Sequence, residues 1–152
     1  MKTSRDTYAD CVEYIVNECE LAARDLPNKF RGINTGRATA GSCKGLISRV
    51  RLYEASKLFN GSDFGKSAGF PKELIGHLEY NKERWKDAIN ACEEFFTALN
   101  QNGYYKLVEV GDNGTSDVRG AYTSAYYDRG TTETLISVRR NILNANANSI
   151  LS

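Results

Sequence analysis

The stretch GRATAGSCKGLISRVRLYEASKLFNG, residues 36–61, constrains the fold more than any other part of the chain. Read as a helix over about 38–59, it starts on Thr39, a residue type whose hydroxyl caps helix N-termini. Its first two turns are nearly all small: Ala40, Gly41, Ser42, Cys43 and Gly45. Glycine inside a helix costs about 1 kcal/mol against alanine. Two of them need compensation, and the close approach of a neighbour supplies it. From Leu46 onward the apolar positions Ile47, Val50, Leu52, Tyr53, Ala55, Leu58 and Phe59 wrap much of the circumference. That is the pattern of a helix gripped on two sides. Asn60-Gly61 predicts its end.

Two further segments carry the helical period. Over 6–26, Tyr8, Cys11, Val12, Ile15, Cys19, Ala22, Ala23 and Leu26 form one apolar stripe. Thr3 or Ser4 is predicted to cap it, and Pro27 to stop it. Over 82–101, Trp85, Ala88, Ile89, Cys92, Phe96 and Leu99 form another. Asn81 is predicted to cap this helix, Asn102-Gly103 to end it, and Trp85 to face the core. A shorter helix is predicted over 117–128, through Val118, Tyr122, Ala125 and Tyr126. YYKLVEV reads as extended and TETLISV as a short strand or edge. The glycine-rich connector 60–80 leaves room for one turn at Pro71–Leu74.

These elements predict an all-α fold of tetratricopeptide-like antiparallel helix pairs with long loop insertions, although no strict 34-residue period recurs. Residues 1–140 are assigned to a single helical-repeat domain and 141–152 to a polar tail. At 152 residues the chain can bury a core without staples. A net charge of +1 provides no general attraction for nucleic acid. No apolar run is long enough to span a membrane, and MKTSRDTYADC has no signal-peptide core.

Known chemical motifs are absent or incomplete. Cys11, Cys19, Cys43 and Cys92 contain no Cys-x-x-Cys, and His77 is the only histidine, so no zinc site of ordinary spacing exists. All four cysteines fall on apolar helical positions and are expected to be buried. In GSDFGKS, Gly61 stands one residue too close to the second glycine for a phosphate loop, and no strand precedes it. DNGTSD lacks the distal glutamate of a calcium loop. No hydrolase frame surrounds His77. No metal, no cofactor and no enzymatic activity are expected. The loop aromatic residues Phe64, Phe70, Tyr104, Tyr105, Tyr126 and Tyr127 are the candidate ligand-binding residues, because aromatic faces on loops are what sugar rings stack on; such faces equally cover a domain interface.

The stretch 36–61 resembles the signature of the SusD/RagB family of glycan- and nutrient-binding outer-membrane lipoproteins. The matching residues are Gly36, Arg37, Ala38 and Thr39, then Arg49, Val50, Leu52 and Tyr53, then Ala55, Ser56, Leu58, Phe59 and Asn60. Lys57 departs from the family's proline. Trp85, Ala88, Ala91, Tyr105 and Leu107 are similar to the pattern of the family's next helix, and DLPNKFRGINTGRAT to the Leu-Pro stretch before the signature.

The resemblance covers about residues 8–137. It implies the central helical segment of a longer, surface-exposed lipoprotein of the outer membrane, whose signal peptide and lipid anchor are not in this chain. It implies a non-catalytic protein that binds a glycan or other nutrient and delivers it to a SusC-like TonB-dependent transporter. A tetratricopeptide-type protein-interaction scaffold without a ligand of its own is the alternative.

Overall fold

A computed structural model of the chain describes residues 5–31, 34, 36–61, 63, 69–128 and 131–136. Among these the architecture is all-α: α1 Tyr8–Asp25, α2 Ala40–Ala55, α3 Glu83–Asn102 and α4 Val118–Tyr127, with no strand. Short 3-10 turns stand at Lys72–Leu74 and Asp112–Gly114. The strand considered for TETLISV does not form over its described residues. The tail 141–152 lies outside them, as do Thr3 and Ser4.

The ends of the helices follow from side-chain chemistry. Thr7, not Thr3 or Ser4, caps α1, and it does so reciprocally: its hydroxyl accepts from Asp10 N, and the Asp10 carboxylate faces Thr7 N. Leu26, ahead of Pro27, leaves the helix in extended geometry. Thr39 makes the same reciprocal pair with Ser42 at the start of α2. That helix stops at Ala55, four residues short of the predicted end, because Ser56 turns extended (ψ 153°) and its hydroxyl bonds back to Tyr53 O at 2.6 Å. Asn81 Oδ1 accepts from Glu83 N at 2.9 Å, closing the first turn of α3 from two residues upstream. Gly103 ends α3 at φ 63°, a left-handed cap that suits glycine.

Contacts along the helices fix their directions. Glu13 of α1 pairs with Arg51 of α2, while Val16 packs on Ile47. Lys44 at the start of α2 pairs with Glu94 late in α3, while Glu54 at its end faces Arg84 early in α3. Both pairs of neighbours are therefore antiparallel, and α2 is the central strut. Val16, Ile47 and Ala91, one residue each from α1, α2 and α3, form the core cluster, with Cys19 and Val50 against it.

The two glycines of α2 stand where neighbours press in. A β-carbon placed on Gly45 would lie 3.0 Å from Leu135 Cδ1 and 3.3 Å from Phe95 Cε2. On Gly41 it would lie 3.2 Å from Tyr105 Cε2. Ser42 Oγ adds a 2.6 Å bond to Leu135 O, so residues 131–136 are tied down over the thin half of α2.

A different device closes the other end of α2. Glu54 is 5% exposed and takes Arg51 Nη1 at 2.8 Å and His77 Nε2 at 2.8 Å. Buried charges persist only when paired in this way. Burial opposes the Arg51 charge, but its hydrogen bonds to Glu13 and Glu54 outweigh burial and hold its pKa above the ordinary arginine value. Asn60 joins the two ends of the connector: its amide donates to Ala55 O and Asn81 O, and its Oδ1 accepts from Asn81 N and Arg84 Nη1. Tyr8 stacks on Phe59 and meets His77 edge-on.

The stripe expected on α3 is rotated. Ala88 and Ala91 are buried, whereas Trp85 (41% exposed), Ile89 and Phe96 form an outward apolar row. Ala91 packs against Val16 and Ile47, and Phe95 is the α3 side chain that reaches Gly45. Cys43 alone of the four cysteines is buried; Cys19 and Cys92 are half-buried and Cys11 is exposed.

Candidate functional site

Beyond Gly103 the chain leaves the three-helix pack and builds a second small structure. Tyr105 anchors its start. Lys106 N donates to Thr132 O at 3.3 Å and Val108 N to the Glu133 carboxylate at 2.6 Å, so residues 106–108 lie beside 131–136. The turn that follows uses Gly111, Asn113 and Gly114 at positive φ. Asp112 organises that turn: it accepts from Lys106 Nζ and from Glu109 N. Those bonds, the lysine's first, hold the Asp112 carboxyl below its ordinary range, and the Asp112 bond raises the Lys106 ammonium.

Asp117 caps α4 through Gly120 N at 2.6 Å. Asn113 reaches over to Ser124, which in turn bonds Asp128. The turn and the helix are thereby held together.

Between residues 107–110 and α4 lies an open surface hollow of about 390 Å³, and its Leu107, Val110, Val118, Tyr122 and Tyr126 side chains are all more than half exposed. Leu107, Val110 and Val118 line it with apolar surface. Tyr122 and Tyr126, one helical turn apart, add two rings with centroids 5.2 Å apart and an interplanar angle of 40°. The charged groups of its lining are two carboxylates, Glu109 and Glu133; among the described residues no lysine, arginine or histidine lines it.

The six candidate aromatic residues do not form one site. Tyr126 lines the hollow and is 74% exposed, so its face is available. Tyr127 is exposed but does not line the hollow, and neither does Phe70. Tyr105 is 7% exposed; its hydroxyl lies 3.1 Å from Thr39 Oγ1 and its ring covers Gly41. It is a core residue, because the space left by a glycine must be filled. Tyr104 is half-buried, edge-on to Tyr105, with the Lys29 ammonium 3.3 Å from its ring centroid. Phe64 lies outside the described residues. Tyr122 was not among the candidates, although its four-residue spacing from Tyr126 places both on one helix face.

The chain is similar to BT4246. This is a protein of Bacteroides thetaiotaomicron whose solved structure superposes with a TM-score of 0.60 at 32% sequence identity. The match covers 70% of this chain and 19% of BT4246, so the chain spans about a fifth of that protein's length. The selenomethionine form of BT4246 matches at the same identity with a TM-score of 0.59. No protein-family model and no curated protein matches the chain. The helical pack is thus an architecture found within a larger Bacteroides protein. Among the described residues, no helix is long and apolar enough to cross a membrane, and no group of three or more His, Cys, Asp or Glu is placed to hold a metal ion.

Proposed function

We propose that the chain is the helical part of a SusD-like, non-catalytic glycan- or nutrient-binding lipoprotein of the outer-membrane surface. Its role is to capture ligand and pass it to a SusC-like TonB-dependent transporter. The observation that carries this reading is the Tyr122–Tyr126 pair, two exposed rings that border an open surface hollow beside carboxylates. Aromatic faces with a few polar groups suit capture without bond-making. The likeness to a Bacteroides protein and the signature in residues 36–60 support the same assignment.

Calorimetric titration of the chain with glycans from an array screen tests it. Tyr122→Ala and Tyr126→Ala are expected each to weaken binding about tenfold, the order of one lost stacking contact. Undiminished binding by both variants would place the ligand elsewhere.

The outward row Trp85, Ile89 and Phe96 favours a second reading, a tetratricopeptide-type scaffold that binds a protein partner and no glycan. In that case the array stays blank, and Ile89→Asp with Phe96→Asp abolishes partner binding.

A further inference from the structure

The chemistry of the hollow narrows its ligand, if the glycan reading above is accepted. Its walls are apolar and aromatic, and both of its charged groups are negative. Glu133 is partly satisfied, since one oxygen accepts from Val108 N. The Glu109 side chain makes no hydrogen bond to any described residue. Lys106, the cation just before this segment, is bonded to Asp112 at 2.8 Å and feels the Glu109 charge only at longer range. The faces of Tyr122 and Tyr126 add the negative side of their ring quadrupoles. A carboxylate beside apolar surface gains most from a cation brought by the ligand, because nearby water is displaced and the attraction is less screened.

We infer that the hollow takes a carbohydrate bearing a free amino group, its sugar face on the tyrosines and its ammonium toward Glu109. Sulfated sugars and uronic acids meet two carboxylates and are rejected. Neutral sugars keep the stacking and lose the ion pair.

Three β-1,4-linked oligomers of equal length isolate the amine, because they differ only at one ring carbon: glucosamine, N-acetylglucosamine and glucose. Titrated calorimetrically into the whole chain at low salt, the glucosamine oligomer is expected to bind about threefold tighter than the other two. Glu109→Gln should remove that advantage, bringing the glucosamine oligomer down to the affinity that the same variant shows for the other two, and added salt should shrink it. The net charge of +1 gives no general attraction for a polycation, and oligolysine of the same charge serves as the control.

Equal affinity for the three oligomers, or an advantage that survives Glu109→Gln, overturns the inference while leaving glycan capture in place. Equal affinity for oligolysine overturns it too, in favour of a basic peptide. Failure of every carbohydrate on the array would remove the underlying glycan reading as well.

Discussion

Glu54 Oε1, on the last turn of α2, lies 2.8 Å from Nε2 of His77, the only histidine in the chain. The same carboxylate holds Arg51, so one buried group on α2 ties its own helix to the connector that leads to α3. Glu54→Ala would strand Arg51 and His77 with fewer acceptors. Breaking a buried pair from one side costs about 3–5 kcal/mol. Glu13→Ala removes an exposed partner of the same arginine and should cost less than about 1 kcal/mol. Urea unfolding of both variants checks the contrast; similar losses would mean that Glu54 is well solvated.

The thin half of α2 predicts a size limit. Gly45→Leu must displace Leu135 or Phe95 and should destabilise the fold by about 1–3 kcal/mol, as overpacking does. Gly45→Ala gains up to about 1 kcal/mol of helix propensity against a smaller clash, so its midpoint should stay near that of the parent. Thermal melts of the two variants provide the comparison. A neutral leucine variant would mean that residues 131–136 do not press on α2.

Thr39 serves two structures at once, the cap of α2 and the hydroxyl of Tyr105. Tyr105→Phe should cost about 1 kcal/mol, the net worth of a buried hydrogen bond. Thr39→Ala should cost about 1–2 kcal/mol, since the cap is lost too. A double-mutant cycle is expected to show coupling of at least about 0.5 kcal/mol. Strict additivity would separate the two residues.

Alkaline pH should weaken the fold. Burial raises the Tyr8 hydroxyl, with the Glu54 charge adding to it, and burial raises the Cys19 and Cys43 thiols. Each group therefore keeps its proton in the folded chain at a pH where the unfolded chain has lost it. The folded state binds more protons there, so stability falls as pH rises. The decline should begin near the ordinary thiol value, about 8.5, and continue past the ordinary tyrosine value, about 10. Denaturant midpoints measured from neutral pH upward would reveal it, and a flat profile would contradict the burial of these groups.

Thr39, Pro27 and Gly103 set helix ends through local chemistry, so those ends were legible in the sequence. Thr7 is hard to single out in the sequence because several hydroxyl residues precede α1, and only Asp10, three residues later, distinguishes it. Gly41 and Gly45 announced a crossing neighbour without naming Tyr105, Phe95 or Leu135, which arrive from far along the chain. The α3 stripe is ambiguous in the sequence because two apolar rows lie side by side on that helix; Ala88 and Ala91 are buried, Ala91 against Val16 and Ile47, while Trp85, Ile89 and Phe96 stay outward. Arg51 and Glu54 stand three residues apart on α2, a spacing visible in the sequence, but His77 and Arg84 reach Glu54 from other elements and left no periodic trace. In the hollow, Tyr126 could be singled out as an aromatic residue outside the main stripes. Glu109 and Glu133 could not, since they meet only after the chain has turned.

The Asn60 clasp has a consequence for how this hairpin could vary. With Asn60 and Asn81 bonded side by side, the register of α2 against α3 is decided by the neck of the connector rather than by its length. Closing a longer loop costs little once its ends are held, about 0.6 kcal/mol for each doubling. Foreign peptide could then be grafted between Gly61 and Phe70 while the helices below stay in place. Gly61 itself could not be replaced so freely, because any side chain there would strike the backbone of Tyr80.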